Sequence, residues 1–130
     1  MNPYAAAKLA YTEATVMTAT PERLVVMLYD GAIRFLHQAA AALRDGRHVQ
    51  SRDRLHKAQA VIEELNRALD VRHGEIAYGL RSIYSFCLRH LIDSTAASDP
   101  AGYEKVAELL AELRESWQEI AEASAERQTA

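Results

Sequence analysis

The sequence has little cysteine, proline or glycine for its 130 residues. Its single cysteine, Cys87, excludes an intrachain disulfide and is typical of a protein from a reducing compartment. Three prolines and five glycines leave room for long, uninterrupted helices. The length fits one domain, which we expect to be stabilised by an apolar core.

Long hydrophobic runs and a dominant charge are missing as well. No stretch approaches the ~20 apolar residues that a membrane-spanning helix needs. The formal net charge is −3, which gives no general electrostatic reason to bind nucleic acid or anionic membranes. We therefore expect a cytoplasmic protein that neither inserts into a membrane nor binds nucleic acid.

Motifs for catalysis and for metal binding are also lacking. The sequence contains no Gly-rich phosphate loop and no nucleophile elbow. Two Asp-x-x-His pairs occur in residues 45–56, but both fall in one loop and helix start, whereas a bundle metal site takes its ligands from facing helices. Cys87 lies on an apolar stripe, where a small buried side chain is expected. The sequence predicts no enzyme activity, no cofactor and no metal.

The strongest helical pattern lies in residues 18–36. Thr20 suits the N-cap, Pro21 suits the first helical position, and Glu22 places negative charge in the first turn. Two apolar stripes follow: Leu24, Leu28, Gly31 and Phe35, and Val26, Tyr29, Ile33 and Leu36. A helix that is apolar on two faces needs cover on both sides, from neighbouring helices or from a partner.

Three further amphipathic helices follow with the same period. The four helices are predicted over about 21–44, 49–71, 75–97 and 100–122. The predicted seams of the last three are Leu55, Ala58, Ile62, Leu65 and Leu69; Ile76, Leu80, Ile83, Cys87 and Leu91; and Val106, Leu110, Leu113, Trp117 and Ile120. The sequence therefore predicts an all-α, antiparallel up-down four-helix bundle over residues 18–122, with a frayed tail at 123–130.

Residues 1–17 precede the bundle and contain three large apolar side chains, Tyr4, Leu9 and Tyr11. A frayed terminus is one interpretation of such a leader. The two tyrosines and the leucine favour an arm that packs on the bundle. We expect this N-terminal arm to act as a lid.

The first and third helices carry more apolar surface than an ordinary bundle helix, which needs one broad stripe. In the third helix Tyr84, Phe86 and Leu88 widen the stripe. Either the bundle and the arm bury all of this surface, or an exposed groove recognises an amphipathic segment of a partner.

Several short motifs occur in an order that resembles the flagellin-specific export chaperones, the FliS family. They are Asn2-Pro3-Tyr4, Thr18-Ala19-Thr20-Pro21, Met27-Leu28-Tyr29-Asp30-Gly31-Ala32, Lys57-Ala58-Gln59, Gly74-Glu75-Ile76-Ala77, Ile83-Tyr84, Leu109-Leu110, Leu113-Arg114 and Trp117. Ser85, Cys87 and His90 depart from the family pattern. The resemblance covers nearly the whole chain.

The resemblance implies a cytoplasmic chaperone that holds the disordered C-terminal region of flagellin, prevents premature polymerisation and helps to deliver it to the export apparatus. It also implies that the arm covers part of the groove and helps docking at the export gate. We expect a monomer that binds its client 1:1. The expected flagellin-binding residues are Met27, Tyr29, Ile33, Leu80, Ile83, Tyr84, Leu88, Val106 and Leu110.

Two other classes of protein stay open at this point. A generic helical bundle could use its surplus apolar face as a dimerisation or interaction module without a flagellin client. A small metalloenzyme is the other alternative, which elemental analysis of the purified protein would test.

Overall fold

The computed structural model describes residues 17–70 and 74–129, with side chains as far as Arg127. Within these described ranges four helices follow one another: α1 (Pro21–Arg44), α2 (His48–Arg67), α3 (Glu75–Ala96) and α4 (Pro100–Thr129). No strand occurs in the described residues. The predicted all-α helical bundle is confirmed.

Local signals fix both ends of α1 where the sequence predicted them. The Thr20 side chain accepts a hydrogen bond from the Arg23 backbone N–H at 3.2 Å, and Pro21 occupies the first turn. After Arg44 the chain reverses at Gly46, whose φ of +74° is favourable for glycine. The Arg47 N–H then donates to the Ala42 carbonyl at 2.8 Å and closes the turn.

The most extensive interfaces join α1 to α4 and to α2. Polar contacts along the α1–α4 pair show that the two helices are antiparallel, since the residue number of the α4 partner rises as that of the α1 partner falls. They are Arg44 with Glu104 at 2.6 Å, Asp30 with Arg114 at 2.8 Å, and Arg23 with Gln118 at 3.0 Å. On the other side of α1, the buried Ser51 hydroxyl of α2 donates to the Ala39 carbonyl at 2.8 Å.

The hydrophobic core is formed mainly by α1, α2 and α4. The predicted α2 seam is largely confirmed, because Leu55, Ala58, Ile62 and Leu65 are all buried. Both apolar stripes of α1 are covered, one helix on each side. The core members from α1 and α4 are Leu24, Met27, Leu28, Tyr29, Ala32, Phe35, Leu36, Ala39, Ala40, Tyr103, Val106, Ala107 and Leu110.

Helix α3 is more loosely packed than α1 and faces the core differently from the prediction. Its buried residues are Ala77, Tyr84, Cys87, Leu91 and Ser94. The predicted seam is wrong at Ile76, which is 73% exposed. The inner face is set by Tyr84, whose hydroxyl meets that of Tyr29 across the bundle.

Two predicted helix boundaries are wrong. Helix α2 ends at Arg67, and Leu69, the last residue of its predicted seam, packs on the core from the turn that follows. Helix α4 continues through Thr129, although the sequence suggested fraying after Glu122. The Ala- and Glu-rich residues 119–126 have high helix propensity, and Ser124 is buried in this extension.

The connection between α3 and α4 brings the two helices very close together. Ser98 has a φ of +52° between the helices, and the Asp99 carboxylate accepts from the Ala101 N–H at 3.1 Å, as its predicted capping role requires. A Cβ added at Gly102 would lie 1.9 Å from the Ser94 Oγ. Only glycine therefore fits at this crossing.

The predicted N-terminal arm, residues 1–17, lies outside the described residues except for Met17. Tyr4, Leu9 and Tyr11 lie outside the described residues, and their role as a lid stays a prediction. In the described part of the chain, no helix is both long and apolar enough to span a bilayer.

Candidate functional site

An apolar cavity of about 500 Å³ opens at one end of the bundle, where α1 and α3 begin and α2 ends. A cavity of this size and character is the usual form of a binding site. Its lining residues are Pro21, Leu24, Val25, Leu28, Leu65, Ala68, Leu69, Asp70, Ile76, Ala77, Leu80, Tyr84 and Trp117.

The up-down topology explains why the cavity lies at this end. The first turns of α1 and α3 and the last turn of α2 meet there, and each presents leucines toward the others. Ala68 and Ala77 are too short to fill the space between the helices. Ile76 stands at the rim with most of its side chain in solvent. The result is an apolar surface that the chain does not cover with its own described side chains.

The buried Tyr84 lines the inner wall of the cavity, and the buried Tyr29 lies behind it as its hydrogen-bond partner. The hydroxyls of Tyr29 and Tyr84 are hydrogen-bonded to each other, and their rings are tilted by 47° with centroids 6.4 Å apart. The Trp117 side chain also lines the cavity. Burial raises the pKa of both tyrosines above the ordinary value of 10.0, so both hydroxyls stay protonated at neutral pH.

Cys87 lies behind Tyr84 and does not have the properties of a nucleophile. Its side chain is fully buried, and burial raises the pKa of the thiol to about 11. The reactive thiolate is therefore scarce at neutral pH. The prediction of a small buried side chain at this position is confirmed.

The structure separates the nine expected flagellin-binding residues into two groups. Met27, Tyr29, Tyr84, Val106 and Leu110 are core residues with at most 2% of their surface exposed. In this conformation they are not available to a partner, because α2 and α4 cover both faces of α1 and Tyr84 turns inward. The partly buried residues are Ile33, Leu80, Ile83 and Leu88. Of all nine, only Leu80 and Tyr84 line the cavity.

Most of the cavity wall was not predicted from the sequence. Leu24, Leu65 and Leu69 were placed on helix seams, and Ile76 was placed in the core. One signal could have indicated the site: in an up-down bundle the start of α1, the end of α2 and the start of α3 share one end. Apolar residues close to those three termini therefore lie close together.

The outward face of α3 adds further exposed apolar surface. Tyr78, Phe86 and Ile92 are all exposed. The Phe86 ring stacks on His90 with centroids 5.6 Å apart. Beside it, a groove of about 170 Å³ runs between Phe86 and Leu109 of α4. Exposed apolar surface on α3 is therefore not confined to the cavity.

Residues 44–57 contain a basic cluster, and four of its five members are paired with acids; the five are Arg44, Arg47, Arg52, Arg54 and Lys57. Arg44 contacts Glu104 in α4, and Arg47 contacts Asp45 at 2.9 Å. Asp53 forms ion pairs with both Arg54 and Lys57, at 2.7 and 3.3 Å. These contacts are consistent with a solvated surface on which acidic side chains neutralise most of the basic ones. Among the described residues, no group of three or more His, Cys, Asp or Glu side chains gathers in a metal-binding arrangement.

Comparison with known proteins agrees with the resemblance noted in the sequence. The family described as Flagellar protein FliS matches residues 2–124. The flagellar secretion chaperone FliS of Bacillus subtilis strain 168 is 31% identical over 118 residues, which cover 91% of this chain and 85% of that protein. The flagellar secretion chaperone FliS of Salmonella typhimurium strain LT2 is 36% identical over 110 residues, which cover 83% and 82%. The chain belongs to the FliS family of flagellar secretion chaperones.

Proposed function

We propose that this chain is a cytoplasmic chaperone whose client is the disordered C-terminal region of flagellin. By covering the apolar faces of that region, it prevents premature polymerisation, and it helps to deliver the client to the export apparatus. Membership of a secretion chaperone family supports the general role. The apolar cavity between α1, α2 and α3 is the observation that supports a peptide client.

The cavity suits apolar side chains on one face of an amphipathic segment. Its walls are leucine-rich and its polar groups at Tyr84 are already hydrogen-bonded, so an occupant gains by burying carbon. An amphipathic helix typically binds such a site through side chains spaced by three and four residues. We expect Ile76 of α3 to contact the client first, because it is 73% exposed at the cavity rim.

A disordered client also needs a surface larger than one cavity. Ordering a free chain costs conformational entropy, which the interface must offset by burying extensive surface. The exposed α3 residues Tyr78, Phe86 and Ile92 extend the apolar surface beyond the cavity. We propose that the client continues from the cavity along α3, and that the complex has one client per chaperone.

The N-terminal arm, residues 1–17, completes the proposal. Through Tyr4, Leu9 and Tyr11 it acts as a lid on the client site and helps docking at the export gate. The composition of this segment and the family resemblance support this role. Removing the arm should tighten client binding, whereas weaker binding would mean that the arm contributes contacts to the client.

Two exposed aliphatic residues at opposite ends of the bundle give a matched test. Ile76 lies at the cavity rim with 73% exposure, and Val49 lies on the first turns of α2 with 80% exposure. Both are β-branched and helical, so Ile76→Asp and Val49→Asp should perturb folding equally little. Isothermal titration of a flagellin C-terminal peptide into each variant measures the effect on binding.

Ile76→Asp should weaken binding about tenfold or more, since a charge then faces the bound apolar segment. Val49→Asp should bind like the unmodified chain. The heat-capacity change of binding should be clearly negative, as apolar burial requires. Equal effects of the two substitutions, or a loss of binding confined to Val49→Asp, would refute the cavity as the client site.

Self-association through α3 is the competing function that the exposed apolar residues of this helix favour. A second copy would cover Tyr78, Phe86 and Ile92 in a symmetric interface. Light scattering across a range of protein concentrations distinguishes self-association from the chaperone function. A monomer at every concentration supports the chaperone proposal, and a concentration-dependent dimer that flagellin peptide does not dissociate supports the alternative.

A further inference from the structure

Helix α3 is held to the bundle by different means at its two ends. Its carboxyl-terminal half packs tightly against α4. Cys87 and Leu91 are fully buried, and Ser94 meets Gly102 at a distance that excludes a Cβ. The Thr95 hydroxyl is also hydrogen-bonded to the Tyr103 hydroxyl at 2.8 Å. This end of α3 is well anchored.

The amino-terminal half of α3 has few such contacts. Gly74 provides no side-chain cap, and Ile76 and Tyr78 are exposed. The cavity lies beneath Ala77 and Leu80, where a packed helix would fill the space. Tyr84 is the one large, fully buried side chain in this half, and its hydroxyl is bonded to Tyr29 of α1.

We infer that residues 75–84 of α3 swing away from the bundle about the anchored carboxyl-terminal half, and that the Tyr29–Tyr84 hydroxyl pair holds them closed. Opening widens the cavity between α1, α2 and α3 so that a helical segment of the client can enter. This inference deepens the proposed function and rests on it for the identity of the client. Tyr84 is a positioning residue here, since it acts through the helix that carries it.

The hydroxyl pair is suited to this role because it lies in a buried environment. A buried hydroxyl left without its partner disfavours the state in which it is buried, typically by about tenfold in the equilibrium constant. In Tyr84→Phe the ring is retained, so the apolar packing of the closed state changes little. The Tyr29 hydroxyl then loses its partner in this pair. The open population of α3 should rise about tenfold.

Client affinity is linked to this population. When only the open form accepts the client, the apparent dissociation constant varies inversely with the open fraction. A tenfold rise in a small open fraction should therefore lower the dissociation constant about tenfold. A purely structural role for Tyr84 predicts the opposite, because loss of a packed fold weakens binding.

The chain offers a matched control at the anchored end of the same helix. Tyr103→Phe also removes one hydroxyl from a hydroxyl pair, that with Thr95. Hydrogen exchange should be followed separately for residues 75–84 and 87–96 in the unmodified chain, Tyr84→Phe, Tyr29→Phe and Tyr103→Phe. The same four proteins are then titrated with a flagellin C-terminal peptide.

Tyr84→Phe and Tyr29→Phe should accelerate exchange about tenfold in residues 75–84 only and tighten peptide binding by a similar factor. Tyr103→Phe should do neither. The inference is overturned if these variants accelerate hydrogen exchange in all helices. It is also overturned if exchange in residues 75–84 becomes faster but the peptide does not bind more tightly. Should the unmodified chain fail to bind the peptide, the proposed client is wrong, and the exchange pattern alone decides whether α3 opens.

Discussion

Helices α1 and α3 are both rich in apolar residues, yet the bundle treats them in opposite ways. In α1 the two stripes are covered by α2 on one side and α4 on the other, and half of the helix is buried. In α3 five residues are buried while Ile76, Tyr78, Phe86 and Ile92 face solvent. A helix sequence with more apolar residues than one stripe requires therefore does not show whether the additional residues belong to the core or to a binding surface.

Side-chain size at the interfaces explains much of the difference. The buried face of α1 includes Ala32, Ala39, Ala40 and Ala42, which let neighbouring helices approach closely. The amino-terminal half of α3 instead presents Leu80, Ile83 and Tyr84 to its neighbours. Leu80 and Tyr84 line the cavity, where the short Ala68 and Ala77 leave the space between the helices unfilled. Close packing returns at the other end of α3, where Gly102 meets Ser94.

Truncating matched leucines should show the largest difference between the two helices. Leu28 of α1 and Leu80 of α3 both line the cavity, but Leu28 is 2% exposed and Leu80 is half-buried. Leu28→Ala should lower the free energy of unfolding by about 3–5 kcal/mol, as buried leucine truncations do, and Leu80→Ala by about 1–2 kcal/mol. Urea unfolding measures both. Equal losses would mean that α3 is packed as firmly as α1.

A methyl group at the tight end of α3 should have a smaller effect. In Gly102→Ala the new Cβ would lie 2.5 Å from the Ser94 Cβ, which rotation of the serine hydroxyl cannot relieve. We expect this overpacking to lower the free energy of unfolding by about 1–3 kcal/mol. Adding Ser94→Gly should restore part of it, measured in the same urea series. Simple additivity of the two substitutions would argue against the close approach.

The pH dependence of stability should show the smallest effect. Burial raises the pKa of the Cys87 thiol from 9.0 to about 11. The unfolded chain loses this proton first, so the stabilisation is complete below about pH 9 and is lost as the pH rises toward 11. The free energy of unfolding should fall there by roughly 1 kcal/mol per pH unit from this group. The raised pKa values of Tyr29 and Tyr84 add a further fall above their ordinary value of 10.0.

Cys87→Ala isolates the contribution of the thiol. Urea unfolding at several pH values between about 8 and 10 should give a shallower decline for this variant than for the unmodified chain, whatever its absolute stability. Parallel profiles would show that the thiol is less well buried on the inner face of α3 than the structure indicates.

Features that depend on neighbouring residues in the chain were predictable from the sequence. The Thr20–Pro21 start, the Gly46 turn and the Asp99–Pro100 start all follow from capping and turn chemistry. The fold class followed from the period of the apolar residues. The family followed from the order of short motifs along the chain.

Features that depend on distant helices were not predictable in the same way. The periodicity of Ile76 and Ile120 is that of seam residues, yet both are exposed, and the neighbouring Ala77 and Ala121 are buried instead. The cavity itself combines three helix ends that are far apart in the sequence. Tyr29 and Tyr84 were both expected to contact the client, yet both are buried and hydrogen-bonded to each other, and only Tyr84 lines the cavity.

The measurement that tests the central claim most directly is hydrogen exchange with and without the flagellin C-terminal peptide. In the free chain, residues 32–42 of α1 should exchange most slowly and residues 75–84 of α3 much faster. Peptide should slow exchange strongly in residues 75–84, with little change in residues 32–42. Protection confined to the charged surface at 44–57, or the same change throughout the bundle, would contradict α3 as the client-binding helix.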